Sequence, residues 1–107
     1  MNNQDKEGKR KYKRFHFREN VLINNIMIKG TCIDISEGGL YVSTLQHFEE
    51  NSVVSVTIPF KRRRVTLKGQ VQHFDQGIGM GIKFVDLNDR QMAIIEELVK
   101  KKTKDKF

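Results

Sequence analysis

The apolar residues of this chain recur at every second position over most of its length. Between Val65 and Val71, for example, apolar or small residues alternate strictly with Thr, Lys and Gln. This period is typical of a β-strand with one buried face. Further segments with the same pattern, separated by turn signals, lie at residues 15–23, 26–35, 40–44, 52–60 and 78–85. Six or so short strands with no helix between them predict a small antiparallel β-barrel or β-sandwich.

Only the end of the chain has helical spacing. Asn88 and Gln91 have the spacing of a capping box, and a stripe of apolar residues follows at Met92, Ile95, Leu98 and Val99. This pattern predicts a helix that packs its apolar stripe against the strands and ends at the lysine run from Lys100. We therefore divide the chain into a polar tail at 1–9, one folded domain at 10–99 and a lysine-rich tail at 100–107.

The net charge of +7 lies mainly at the two ends of the chain. Residues 1–20 carry seven basic and three acidic side chains, residues 100–107 carry five and one, and the remainder carries eight and nine. The folded part is thus nearly neutral, which weakens the case for nucleic acid as the partner. No segment has the apolar character of a transmembrane helix or a signal peptide, so we expect a soluble, cytoplasmic protein without membrane contact.

The residues that usually build catalytic or metal sites are sparse. The three histidines are scattered without ligand spacing, and the single cysteine, Cys32, lies in an apolar run and is expected to be buried. The glycine-rich segment GIGMG at 77–81 belongs to a strand rather than to a strand-to-helix turn. Ser36 has no adjacent base that would make it a nucleophile. The sequence therefore favours a binding protein over an enzyme, with no metal and no cofactor.

The segment DISEGG, residues 34–39, separates two strands with a carboxylate, a hydroxyl and two glycines. On a strand, Asp34 and Ser36 would share one outward face while Ile35 points to the core. Gly38 and Gly39 are expected to allow a sharp reversal through positive φ, and to let a ligand approach the backbone. Such a turn could form the edge of a binding site.

Two arginines, Arg10 and Arg14, precede the first strand with three residues between them. If this leader folds back over Asp34 and Ser36, guanidinium groups, a carboxylate and a hydroxyl meet in one place. Arginine pairs with the O6 and N7 acceptors of guanine and with phosphate, and aspartate can accept hydrogen bonds from the guanine N–H groups. The combination therefore suits a guanine nucleotide.

Taken together, these features resemble the PilZ domain family, the bacterial receptor module for the second messenger cyclic di-GMP. The family signature Arg-x-x-x-Arg matches Arg10 and Arg14. The signature Asp/Asn-x-Ser-x-x-Gly matches Asp34, Ser36 and Gly39, and a closing strand GMGIKF precedes the helix. The resemblance covers nearly the whole folded part. It implies a six-stranded antiparallel split β-barrel with a C-terminal helix, and a ligand on the outer surface of the barrel.

The resemblance also implies a role for each matching residue. Arg10 and Arg14 would clamp the guanine and phosphate groups of cyclic di-GMP. Asp34 and Ser36 would hydrogen-bond the nucleotide, and Gly39 would leave room for it. Each of these roles is assigned because the residue occupies the corresponding position of the family signature.

Lys9 stands where many family members have a further basic residue, and the resemblance implies a secondary contact there. Arg14 and Arg18 also have the required spacing, but Arg18 falls on the polar face of the first strand, so we place the pair at Arg10 and Arg14. We expect that no output domain is attached, and therefore that the signal passes through a partner or through self-association. The expected route is a conformational change that acts on a protein partner in motility, biofilm or polysaccharide control. We expect a monomer or weak homodimer that takes one or two nucleotides.

Two other functions stay open. A small basic barrel could bind nucleic acid through Lys61 to Arg64 and the basic ends of the chain. Most phenylalanines follow the strand alternation, however, which leaves few aromatic rings for base stacking. Alternatively, a PilZ-like scaffold could act through protein contacts without binding nucleotide, although this chain keeps both signatures.

Overall fold

A computed structural model of the protein describes residues 15–24 and 28–105. These residues form six strands and one helix: β1 Phe15–Ile23, β2 Ile28–Ile35, β3 Gly39–Ser43, β4 Val53–Phe60, β5 Arg63–Asp75, β6 Gly79–Phe84 and α1 Asp89–Asp105. The strands close into an antiparallel barrel in the order β1-β2-β3-β6-β5-β4. The predicted all-β fold with a C-terminal helix is confirmed, and a barrel rather than a sandwich is the result.

The inward-facing side chains of the six strands fill the barrel. On β5, Leu67 and Val71 are buried while Thr66 and Lys68 are exposed, as the two-residue period predicts. Fully buried side chains from the other strands complete the core: Val21, Ile23, Ile35, Leu40, Val42, Val56, Ile58 and Met80. The barrel closes between β1 and β4, where Leu22 is paired with Thr57 and Ile23 with Val56.

A β-bulge in β2 changes which residues face outward. Cys32 pairs with Val42, whereas Asp34 pairs with Tyr41, so β2 carries one residue more than β3 over this stretch. In a regular strand, residues two apart share a face, and Cys32 and Asp34 would both point inward. Because of the bulge, Cys32 and Ile35 are both buried and Asp34 faces the outside. The predicted burial of Cys32 and Ile35 is confirmed.

The capping box predicted for the helix is present. The Gln91 N–H donates to Asn88 Oδ1 at 2.8 Å, and the Asn88 N–H donates to Gln91 Oε1 at 2.9 Å. Gln91 also attaches the helix to the barrel, because its Nε2 donates to the carbonyl of Thr66 at 3.1 Å. No helix among the described residues is long and apolar enough to cross a membrane.

Two details of the helix differ from the prediction. Ile95, Leu98 and Val99 are buried, but Met92 is 46% exposed, because the first turn contacts the barrel through other side chains. The helix also continues through the lysine run to Asp105. Lysine is a good helix former, and cations are favourable near a helix C-terminus, so these lysines extend the helix instead of ending it.

Candidate functional site

Ser36 holds the turn between β2 and β3. Its hydroxyl accepts a hydrogen bond from the Gly38 N–H at 3.2 Å and donates one to the carbonyl of Gly39 at 3.4 Å. The Ser36 N–H donates to the same carbonyl at 2.8 Å. The residue lies one position beyond the end of β2 and is 4% exposed. The predicted outward-facing strand position of Ser36 is therefore wrong, and its contact with a ligand stays a prediction.

Gly39 is needed for the close approach of β3 to β6. A Cβ atom at this position would overlap the carbonyl oxygen of Ile82 and lie 3.2 Å from the Cα atom of Lys83. Neither Gly38 nor Gly39 adopts the left-handed conformation, which among the described glycines occurs at Gly77. The expected positive φ at this turn is thus wrong. The contact between two backbones is a sufficient structural reason for glycine at position 39.

Asp34 lies on the outer face of the barrel, in a row of residues that are paired across the strands. It lies opposite His16 of β1 and Tyr41 of β3, and Tyr41 lies opposite Gly81 of β6. Gly81 in turn is paired with His73 of β5. The Asp34 side chain is half-buried. These paired residues lie on the outside of the barrel, and we call them the outer row: His16, Asp34, Tyr41, Gly81 and His73.

A hydrogen-bonded cluster occupies the β3, β6 and β5 part of the outer row. The Tyr41 hydroxyl donates to Asp75 Oδ2 at 2.8 Å, and His73 Nε2 lies 3.5 Å from the same oxygen. The centroids of the Tyr41 and His73 rings are 6.1 Å apart. Burial raises the pKa of Tyr41 to about 12, together with the hydrogen bond to Asp75 and the negative charges of Asp75 and Asp34. Tyr41 is therefore a neutral donor at physiological pH.

Two glycines of β6 make room for these rings. A Cβ atom at Gly81 would lie 2.7 Å from His73 Cε1. One at Gly79 would overlap the carbonyl oxygen of Val42 and lie 2.9 Å from Tyr41 Cε2. Residues 79–81 of the glycine-rich segment lie on β6, whereas Gly77 and Ile78 belong to the turn before it. The segment leads into a strand and not into a helix, so it does not form a phosphate-binding loop. The lack of side chains at Gly79 and Gly81 leaves room for the rings of Tyr41 and His73 beside β6.

The structure brings some predicted site residues together and leaves others undescribed. Asp34, Ser36 and Gly39 lie at one end of the β2–β3 hairpin. Lys9, Arg10 and Arg14 lie outside the described residues. Phe15, the first residue of β1, is paired with Ile35. The chain therefore enters the barrel directly beside the β2–β3 turn.

The sequence pattern does not reveal the cluster of Tyr41, His73 and Asp75, because Tyr41 lies on β3 and the other two lie on β5, far apart in the chain. One signal in the sequence could have identified Tyr41 as a surface residue of the site: its position on the polar face of the predicted strand, two residues after Gly39. A bulge between Val71 and His73 sets the register that brings β5 to this position, and alternation alone does not reveal that bulge.

The outer row offers hydrogen-bond acceptors to a ligand. The carboxylates of Asp34 and Asp75 provide negative charge on the barrel surface, so they favour a ligand with N–H donors or a cationic segment of the chain. Among the described residues, no group of three or more His, Cys, Asp or Glu side chains could hold a metal ion. The chemistry of this face is that of binding through hydrogen bonds.

Comparison with known proteins agrees with this architecture. The sequence profile of the family described as PilZ domain matches residues 8–101. The PilZ domain of YcgR from Escherichia coli, solved with c-di-GMP, is similar with a TM-score of 0.75 and 11% identity over 91% of this chain and 93% of that one. The PilZ domain of CeSA from a cellulose-synthesising bacterium is similar with a TM-score of 0.66 and 22% identity, over 81% of this chain and 94% of that one.

A longer protein shares the same fold. The inhibitor of motility MotI/DgrA from Bacillus subtilis is similar with a TM-score of 0.73 and 18% identity, over 90% of this chain. This chain spans 52% of the length of MotI/DgrA. No curated protein sequence matches the chain significantly. At these identities the structural similarities show a common fold.

Proposed function

Because this chain belongs to the PilZ domain family, we propose that it is a receptor for cyclic di-GMP, bound on the outer face of the barrel beside the β2–β3 turn. The observation that carries the proposal is the position of Asp34. The bulge in β2 turns its carboxylate outward at the end of the hairpin, in a barrel similar to a PilZ domain solved with c-di-GMP. In the proposed complex the Asp34 carboxylate accepts hydrogen bonds from the N–H groups of guanine.

The leader is attached where it can reach this face. Arg14 directly precedes Phe15, which is paired with Ile35 next to the turn. Arg10 lies four residues earlier, which corresponds to at most about 14 Å of extended chain. In the proposed complex Arg10 and Arg14 bind guanine and phosphate groups through their guanidinium forks, and Lys9 adds a secondary contact.

The residues of the hairpin position the carboxylate. Ser36 fixes the turn through its two hydroxyl hydrogen bonds, and Gly39 allows β3 to pack closely against β6. Tyr41 is fixed by its hydrogen bond to Asp75 and forms the neighbouring part of the surface. A preformed face of this kind lowers the entropic cost of binding.

Signalling is proposed to pass to a protein partner. Ordering of the basic leader over a polyanionic ligand would change the surface that the barrel presents, which is a common mechanism of ligand-controlled switching. The proposed activity is therefore binding and not catalysis.

The test is calorimetric titration of cyclic di-GMP into the full chain, with GTP as the control ligand. Arg10→Ala and Asp34→Ala should abolish binding, whereas Arg18→Ala should retain it, because Arg18 lies within β1 and not in the leader. Circular dichroism and thermal unfolding without ligand verify that each variant is folded. Folded wild-type protein that gives no heat with cyclic di-GMP would refute the proposal, and loss of binding only in Arg18→Ala would move the arginine pair to Arg14 and Arg18.

Four phenylalanines among the described residues offer no stacking surface to nucleic acid. Phe48 and Phe84 are buried, and Phe60 and Phe74 pack against the core. Bases of single strands usually stack on exposed aromatic side chains, and these four rings are not available for stacking. A PilZ fold without nucleotide binding is the outcome that a negative titration would support.

A further inference from the structure

An open groove of about 740 Å³ lies between the β4–β5 turn and the first turns of α1. Lys61 and Arg62 form the two-residue turn that joins Phe60 to Arg63, and Arg90 contributes from the helix. The groove lies at the opposite end of β5 from His73. β5 begins at Arg63 beside the groove and reaches His73 ten residues later, about 33 Å along the strand.

The rim of the groove carries an excess of positive charge. Arg62, Arg63, Arg64 and Arg90 are exposed and line the groove. None of the four forms an ion pair with a described carboxylate, whereas the neighbouring Lys61 pairs with Glu97 at 3.0 Å. Clustered cations repel one another, so this arrangement does not serve the stability of the barrel. It creates a positive potential at one end of a nearly neutral fold.

The floor of the groove is apolar. Phe60, Val65 and Ile94 are partly buried, pack against the core and line the groove. A concave site with an apolar floor and charged groups at its rim can bury an aliphatic side chain and pair with charges on either side of it. A flat, uniformly charged surface would not select for the apolar group.

The walls of the groove are fixed by several contacts. Gln91 joins the helix to β5 through the carbonyl of Thr66, and the capping box with Asn88 fixes the first helical turn. The ion pair between Lys61 and Glu97 joins the β4–β5 turn to the helix. Since these contacts hold both walls in place, little ordering is required when a partner binds.

We propose that this groove docks an acidic segment of a protein partner, with an apolar side chain of that segment on the floor and carboxylates paired with the arginines at the rim. The inference rests on the proposed function in one respect, because a receptor that signals through a partner needs a surface for it. Guanidinium groups form forked hydrogen bonds with carboxylates, which makes arginine the fitting residue for such a rim.

The chemistry of the groove favours a protein segment over nucleic acid. Phe60 is the aromatic residue of the groove, but it is half-buried and Lys61 Nζ lies 5.3 Å from the centre of its ring. Its face is therefore not free to stack on a base. The start of α1 is also a poor phosphate site, because the Asn88 side chain occupies the Gln91 N–H and Asp89 places a negative charge there.

The first part of the test identifies peptides that bind the groove. Random dodecapeptides displayed on phage are selected on the immobilised full chain without nucleotide. Enriched peptides are then synthesised with fluorescein and titrated by fluorescence anisotropy at about 0.15 M salt. We expect the enriched peptides to combine several acidic residues with at least one aliphatic residue. No enrichment, or enrichment of peptides without acidic residues, would overturn the proposal.

The second part compares two charge-matched variants. Arg63→Gln with Arg90→Gln removes two rim charges, and Lys68→Gln with Lys100→Gln removes two exposed charges outside the groove. The rim variant should weaken peptide binding by about tenfold or more, and the control variant by less than about twofold. Equal weakening in both variants would show that only the overall charge matters and would overturn the proposal.

Two further measurements separate other occupants. A fluorescein-labelled uridine oligonucleotide that binds more tightly than the peptides and displaces them would replace the proposal with nucleic acid. Self-association in sedimentation velocity that the rim variant abolishes would replace it with a second copy of this chain. The peptide titrations contain no nucleotide, so a failure of cyclic di-GMP binding would not change the peptide result. A failure of peptide binding would likewise not change the result of the cyclic di-GMP titration.

Discussion

Replacement of Gly39 by alanine tests whether this glycine serves the fold or the ligand. The added Cβ would overlap the carbonyl oxygen of Ile82 in the neighbouring strand, so β3 and β6 must separate locally. Overpacking costs up to about 3 kcal/mol, and we take the upper value because backbone atoms have to move. Reduced freedom of the unfolded chain offsets about 0.5–1 kcal/mol. We therefore expect a loss of about 2 kcal/mol.

Urea denaturation at neutral pH measures this loss directly, and the melting temperature should fall by about 8–16 °C. Gly81→Ala is the matched control, because its Cβ would meet the His73 ring, a side chain that can rotate away. The control should lose less than about 1 kcal/mol. If Gly39→Ala were as stable as the wild type but failed to bind cyclic di-GMP, the packing explanation would be wrong and the glycine would serve the ligand.

Two further predictions concern Tyr41 and the helix. In a Tyr12→Phe background, the phenolate absorbance of Tyr41 should titrate near 12 instead of 10, because burial and the hydrogen bond to Asp75 both raise its pKa. Asp75→Asn should lower that pKa, and a midpoint near 10 without this substitution would contradict both causes. Because the pKa of Tyr41 is higher in the folded than in the unfolded chain, its contribution to the free energy of unfolding is fully present below pH 10. This contribution is lost as the pH rises towards 12. Ile95→Ala should cost about 3 kcal/mol in urea denaturation because Ile95 is 1% exposed, and Met92→Ala, at 46% exposure, should cost less than about 0.5 kcal/mol. Equal losses in the two helix variants would show that α1 packs on a different face.

Much of the fold could be predicted because its signals are local. Alternation of side chains along a strand and the Asn88–Gln91 capping box each depend on a few consecutive residues. The errors arose where a neighbouring element decided the outcome. Met92 is exposed because the helix contacts the barrel through a different side at its start, and Ser36 is buried because β2 ends one residue before it.

In the candidate site, too, local features could be predicted from the sequence and features that depend on neighbouring strands could not. Asp34 could be placed in a binding motif from its spacing to Ser36 and Gly39, because a short motif is a local feature. Its outward direction depends on the bulge that lets Cys32 and Ile35 both point inward. A strict period of two cannot satisfy both buried residues, so the packing of the core selects the bulge.

The sequence by itself determined the number and period of the strands, the helix at the end of the chain and the motif that suggests a guanine nucleotide. Only the tertiary structure decided which distant residues meet. The pairing of β3 with β6, which is the hairpin partner of β5, brings Tyr41 to Asp75, 34 residues away in the chain. The tertiary structure likewise places Arg90 at the groove with the β4–β5 turn. Register between distant strands depends on the packing of the whole barrel, and no local period encodes it.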